Sequence, residues 1–158
     1  MTCYCIDTSS IIDAGERNYP IDIFPGFWEK MDDLVHQDRL KAPEILIDEL
    51  KRQDDEWREW VYVRKDDIVI SMDAAQQAAV ANIMARPEFR PLVKKSGKSG
   101  GDPFFIALAQ THSMTLVTSE HMRAGGIRIP HVGAALNVNC INLLEMLRRE
   151  SWRFYAGS

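Results

Sequence analysis

The chain opens on a short apolar run, CYCI, that ends in a polar cluster, Asp7-Thr8-Ser9-Ser10, before apolar positions return at Ile11, Ile12 and Ala14. The run has the length of a buried strand, and the change of spacing predicts a helix that the serines and threonine can cap. Gly15 and then Pro20 interrupt it. Phe27, Trp28, Met31, Leu34 and Val35 fit one broad face of a second helix, from Pro25 to about Gln37, with Pro25 tolerated in the first turn. Arg39 to Ala42 reads as a short strand, and Pro43 as the start of a third helix that buries Ile45, Leu46 and Leu50. Asp54 to Arg64 carries Trp57, Trp60 and Val61 at helical spacing. Ile68 to Ile70 is a brief apolar run, after which Ser71 or Asp73 caps an alanine-rich helix through Ala85. Pro87 and Pro91 break the chain again before the loop VKKSGKSGG.

The last third has the clearest rhythm. A helix from Asp102 to His112 leads into a strand from Thr115 to Thr118. Gly125 and Gly126 mark a loop, IRIPHVGAAL is less regular, Asn139 to Asn142 includes a final short strand, and Leu143 to Glu150 forms a closing helix. Short apolar strands separated by helices predict an α/β sandwich with a mainly parallel central sheet. No internal repeat or long low-complexity segment appears, so residues 1–158 read as a single domain.

Composition narrows the class without naming a function. Apolar residues make up 46% of the chain and charged residues 27%, ordinary values for a globular protein. No apolar run approaches the roughly 20 residues of a membrane helix. The start, MTCYCID, lacks the basic region and long apolar stretch of a secretory signal. Three cysteines are an odd number for a disulfide framework, and Cys3 and Cys5 read as structural thiols on one side of the first strand. Together these features lead us to expect a reducing cytoplasm. A net charge of −4 argues against wrapping duplex DNA by bulk electrostatics, but leaves room for a small cleft that reads phosphates through bound cations.

The candidate chemistry lies in four acidic residues. Asp7 ends the first strand pattern, Glu49 lies in the helical EILIDEL, Asp102 opens the helix GDPFFIALA, and Glu120 follows the strand pattern of TLVTSE. In parallel sheets, sites cluster beyond the carboxyl ends of the strands, where Asp7 and Glu120 both fall. Carboxylates gathered there repel one another unless protons or cations compensate, and Mg2+, a hard ion that prefers oxygen ligands, suits them. A divalent ion held there can activate water and stabilise charge on a phosphate, so no covalent enzyme nucleophile is needed.

In these pieces the chain resembles the PIN-domain nucleases, and more narrowly the PIN-like toxin group related to VapC-type ribonucleases. The matching segments are IDTSS, ILIDELKR, GDPFFIALA and LVTSE, in the family's order, with NCINLLEML similar to its closing strand and helix. The resemblance implies a three-layer α/β/α fold and a Mg2+- or Mn2+-dependent endoribonuclease. It assigns Asp7, Glu49, Asp102 and Glu120 to the catalytic and metal-holding site, with Glu49 acting directly or through a water. Thr8 and Thr118 match hydroxyl positions beside the first and fourth acids, and the resemblance makes them, with Lys98, substrate-binding residues. The family often has aspartate at the fourth position, where this chain has the longer Glu120. The resemblance also implies RNA as substrate, an antitoxin protein as partner and often a homodimer. Two readings compete with it: a PIN-like RNA-binding or assembly module that no longer cuts, and a DNA-directed nuclease.

Other signals are weaker. SGKSGGD suggests a phosphate loop, but the full motif needs a glycine where Leu92 stands. The segment reads better as a basic loop in which Lys94, Lys95 and Lys98 can meet RNA phosphates. The start Asp7-Thr8-Ser9 lacks the second aspartate of an aspartyl-phosphate enzyme. His36, His112, His121 and His131 have no close metal-ligand spacing. The four tryptophans read as core or interface residues rather than base-stacking platforms.

Overall fold

Tyr4, Cys5 and Ile6 form the first strand, β1, and all three are fully buried. Successive strand side chains point to opposite faces, so β1 is covered on both sides, as the middle of a parallel sheet requires. The structure is a computed structural model that describes residues 1–51, 56–90, 102–119 and 129–155. Within them, β1 is joined by β2 (Leu40–Pro43), β3 (Val69–Ile70), β4 (Thr115–Val117) and β5 (Cys140–Ile141) in the order β3-β2-β1-β4-β5. Every pairing is parallel, with Tyr4 opposite both Leu40 and Thr115, and Val117 opposite Ile6 and Ile141. The fold is the three-layer α/β/α sandwich expected from the sequence.

The helices supply the outer layers. They are α1 (Thr8–Asp13), which runs on into a π-helical turn (Ala14–Asn18), α2 (Pro25–His36), α3 (Ile45–Leu50), α4 (Glu56–Val63) and α5 (Lys65–Ile68). Beyond these come α6 (Ala74–Ala85), α7 (Asp102–Thr111), α8 (Ile129–Ala135) and α9 (Leu143–Arg149). Helix α7 packs along α6 and against β1, β2 and β4. Trp28, Trp57 and Trp60 are buried in the core, as expected. No described helix is long and apolar enough to cross a membrane.

Three details differ from the sequence reading. Pro43 closes β2 instead of opening α3, a place where its missing N–H interrupts only the end of a ladder. Lys65–Ile68 is a helical turn, leaving Val69 and Ile70 as the strand. IRIPHVGAAL contains α8, whose Ile129, Val132 and Gly133 are buried; a Cβ on Gly133 would lie 2.6 Å from Cys140 Sγ. That helix is specified by what it packs on, not by its own weak periodicity.

Four helices stop in the same way, and none uses glycine. Asp38, Ser113, Asn137 and Ser151 have φ of 59°, 54°, 58° and 58°. The residue after each donates its N–H back to a carbonyl five positions earlier: Arg39 to Leu34, Met114 to Ala109, Val138 to Gly133 and Trp152 to Leu147, at 2.7–3.0 Å. This left-handed cap satisfies carbonyls that the helix end would otherwise orphan. After α2, α7 and α8 it turns the chain directly towards the next strand.

Candidate active site

The topology brings three of the four predicted acids, Asp7, Glu49 and Asp102, to one edge. Asp7 follows the last residue of β1, and its N–H bonds to Val117 O at 3.0 Å. Helix α3 starts just beyond the end of β2, which places Glu49 over the same edge. Helix α7 leads into β4, which is parallel to β1, so α7 runs back against the strands and begins, at Asp102, at their carboxyl ends. The Sγ of Cys5 lies 3.7 Å from Phe105 O, consistent with that placement. Glu120 and Lys98 lie outside the described residues.

Asp7 is both a helix cap and a buried acid. Its extended backbone (φ −83°, ψ 164°) lets Oδ1 accept from Ser10 N at 2.9 Å and from Ser9 Oγ at 2.8 Å. Its Oδ2 accepts from Thr118 Oγ1 at 2.6 Å. These donors favour the charged form, yet burial outweighs them and lifts the carboxyl from 3.8 to about 6. Capping and chemistry are therefore compatible roles for one carboxylate. The residue Thr118 is itself only 2% exposed, and its hydroxyl is turned onto Asp7. The sequence makes Ser9 and Ser10 candidate caps of α1; in the structure Asp7 is the cap and the two serines are its donors, as acceptor-x-Ser-Ser at a helix start allows.

Glu49 is half-buried on the edge of the apolar stripe made by Leu46 and Leu50. Its neighbour Asp48 instead faces solvent and pairs with Lys51 at 3.0 Å. Burial lifts Glu49 from 4.5 to about 7, with the Asp7 charge adding in the same direction and the Thr8 hydroxyl opposing it. The opposition is weak in geometry, because neither Thr8 Oγ1 nor Glu49 Oε1 has a well-formed hydrogen bond. Asp7 thus lies near enough for its charge to raise Glu49, and among the described residues neither is paired with a lysine, arginine or histidine.

Whether these residues suit a divalent cation can be judged from the donors present. Two carboxyls whose pKa values burial raises, with an orphaned carboxylate oxygen and an orphaned hydroxyl, make an all-oxygen set that a hard ion would satisfy. The pair fits as half of a site. Among the described residues no group of three or more His, Cys, Asp or Glu side chains is gathered to hold a metal ion. The structure brings Asp7 and Glu49 together, and puts the backbone of Asp102 at the same edge without drawing it into such a group.

A family model for "Domain of unknown function (DUF4411)" matches residues 4–154. The chain belongs to this family. No curated protein matches it in sequence. Among solved structures it is similar to the crystal structure of VapBC2 from Rickettsia felis bound to a DNA fragment from their promoter, with a TM-score of 0.54 at 13% identity. That match covers 89% of this chain and 98% of the other. Matches at a TM-score of 0.49 include PAE2754 from Pyrobaculum aerophilum (12% identity, 95% of this chain and 90% of the other) and FitAcB from Neisseria gonorrhoeae (19%, 88% and 96%). At 13% identity the likeness to the first of these is one of fold alone, and the fold is the PIN-like one that the sequence resemblance implied.

Proposed function

We propose that this DUF4411 chain, as one PIN-like domain, is a Mg2+- or Mn2+-dependent endoribonuclease and the toxin of a toxin–antitoxin pair. The observation that carries the reading is the Asp7–Glu49 pair: a buried and a half-buried carboxyl at the carboxyl edge of a PIN-like sheet, the charge of the first raising the second, with Glu49 Oε1 left without a partner. Asp7 and Glu49 would hold the ion, with Asp102 and Glu120 completing its ligands. When bound, the ion supplies Lewis acidity towards a phosphate oxygen and makes water a better nucleophile.

The chain's own groups divide the remaining work. Ser9, the Ser10 N–H and Thr118 fix both oxygens of Asp7, so its orientation is set before substrate arrives. Glu49 would complete the site directly or through a bound water that it orients for attack. Thr8 and Lys98 are the proposed phosphate contacts, while Thr118 acts through Asp7. The antitoxin, the RNA substrate and a homodimer come from the family resemblance and belong to the same proposal.

The test is cleavage of RNA and of single-stranded DNA with Mg2+ or Mn2+, using Asp7→Asn and Asp102→Asn as controls. RNA cleavage that needs the metal and disappears in both variants is the expected result. Cleavage of DNA alone would reassign the substrate, and no cleavage of either would make the chain a binding or assembly module.

A further inference from the structure

We propose that the cleft between the π-helical turn and α4 is a docking site for a basic, amphipathic peptide segment of a partner protein. The segment places a cationic side chain among Glu16, Asp22 and Glu56 and an apolar one on Ile23 and Phe24. The cleft shares no residue with the Asp7–Glu49 pair, so the inference does not rest on the nuclease reading. It encloses about 300 Å³, and Gly15, Ile21 and Trp57 form its apolar wall. Gly15 has no left-handed φ and is small for want of space: a Cβ there would lie 2.3 Å from Trp57 Cγ. The pyrrole ring of Trp57 therefore meets backbone at position 15, and its buried Nε1–H has no hydrogen-bond partner. A buried donor without an acceptor is costly, and a peptide brings carbonyl oxygens that a purely apolar ligand lacks.

Charge identifies the occupant. Glu16, Asp22 and Glu56 are exposed around the wall, and among the described residues none of them pairs with a lysine, arginine or histidine. Nor are they gathered closely enough to hold a metal ion. Such a rim repels RNA and anionic lipid, and it attracts a cation. Carboxylates spread around an apolar wall suit a lysine or arginine, whose stem lies on the wall while its head reaches the acids. Ile23 and Phe24 follow Asp22 directly and are 66% and 39% exposed. Their turn is well held: both donate to Pro20 O, at 3.0 and 2.8 Å, and Trp28 Nε1 donates to Tyr19 O at 2.7 Å. Phe24 also meets the Tyr19 ring edge-on at 5.7 Å. Apolar side chains fixed in solvent beside an acidic cleft match a partner of the complementary pattern, a basic residue flanked by apolar ones.

The test is selection of random peptides displayed on phage against the full chain, followed by fluorescence polarisation with the enriched peptide carrying fluorescein. Enriched peptides are expected to set arginine or lysine beside leucine, isoleucine or phenylalanine. The triple variant Glu16→Gln, Asp22→Asn, Glu56→Gln should bind such a peptide about tenfold more weakly, and Ile23→Ser about threefold. A control with the same change of net charge away from the cleft, Asp33→Asn, Asp66→Asn, Glu145→Gln, should stay within about twofold of wild type. All of these positions are exposed, so circular dichroism should show every variant folded. No enrichment, enriched peptides without basic residues, or equal losses in the triple variant and the control would each overturn the docking site. Spermidine that binds the wild-type chain as tightly as the peptide would make the occupant a small polycation, and would overturn the peptide assignment. Absence of RNA cleavage bears on the nuclease reading alone, because peptide binding is read without it.

Discussion

Asp7→Asn should make the metal-free protein more stable at pH 8 while abolishing cleavage. The buried carboxyl of Asp7 has a pKa of about 6 in place of 3.8. At 1.36 kcal/mol per pH unit, that difference means that ionising Asp7 costs the fold about 3 kcal/mol at pH 8. The sign follows from linkage: a carboxyl raised by folding contributes full stability below pH 3.8 and loses it as pH rises through about 6. By the same relation, about 1 kcal/mol of the loss is already present at pH 4.5, leaving about 2 kcal/mol to appear between pH 4.5 and 8. Asparagine keeps the shape and the helix cap but cannot ionise. The bonds from Ser9, Ser10 N and Thr118 to the charged form already enter the value of about 6, so their loss is not subtracted a second time. Removing the Asp7 charge also eases Glu49, which acts in the same direction.

The assay is urea unfolding in EDTA at pH 4.5 and pH 8. With a slope of about 2 kcal/mol per molar urea, the midpoint advantage of Asp7→Asn should grow by about 1 M between the two pH values. An advantage that does not grow with pH would refute the idea that burial dominates the hydrogen bonds at Asp7. Gain of stability with loss of activity is the signature of a site built at the expense of the fold.

Three further outcomes follow from other parts of the structure. Glu150 accepts from Arg39 Nη2 and Tyr4 Oη, both at 2.6 Å, and although burial pushes its carboxyl up, these partners hold it below the usual range. Glu150→Ala should therefore cost about 3 kcal/mol, or roughly 10 °C in Tm, by leaving Arg39 buried without its partner. Because Tyr4 begins β1 and Asp7 lies past its far end, Mn2+ affinity of the folded variant should not change; a loss there would show that the two ends of the sheet are coupled. Thr118→Val removes the donor that most favours the charged form of Asp7, so the acidic limb of the pH–rate profile should move to higher pH, and an unmoved limb would count against that role. Ser113→Gly, at an exposed left-handed cap with φ 54°, should stabilise the chain by about 1 kcal/mol in thermal unfolding without altering cleavage.

Much of the architecture was legible because local pattern and tertiary need agree. The CYCI run predicts a strand buried on both faces, and β1 is that strand. The apolar stripe from Phe27 to Val35 predicts α2 almost to the residue. Asp73, one of the two expected caps, closes the start of α6 through its side chain. Where prediction failed, information from elsewhere in the chain was needed. Helix α8 depends on the Gly133–Cys140 fit, and the four left-handed stops carry Asp, Ser and Asn instead of the glycine that would announce them.

The site divides along the same line. The order of the acids, their place after strands and at helix starts, and the family they resemble are properties of the sequence by itself, because strand and helix periodicities and the edge rule of parallel sheets depend only on local spacing. Sequence could not distinguish Glu49 from Asp48 by exposure, since both lie in one charged stretch; only the packing of α3 turned one to solvent and lowered the other beside Asp7. Nor could it reveal that Thr118 serves Asp7 from the end of the neighbouring strand, or that Gly15 is small to admit Trp57. Those facts arise from contacts between segments distant in the chain. Burial, which decides how tightly each carboxyl holds its proton, exists only after those segments have met.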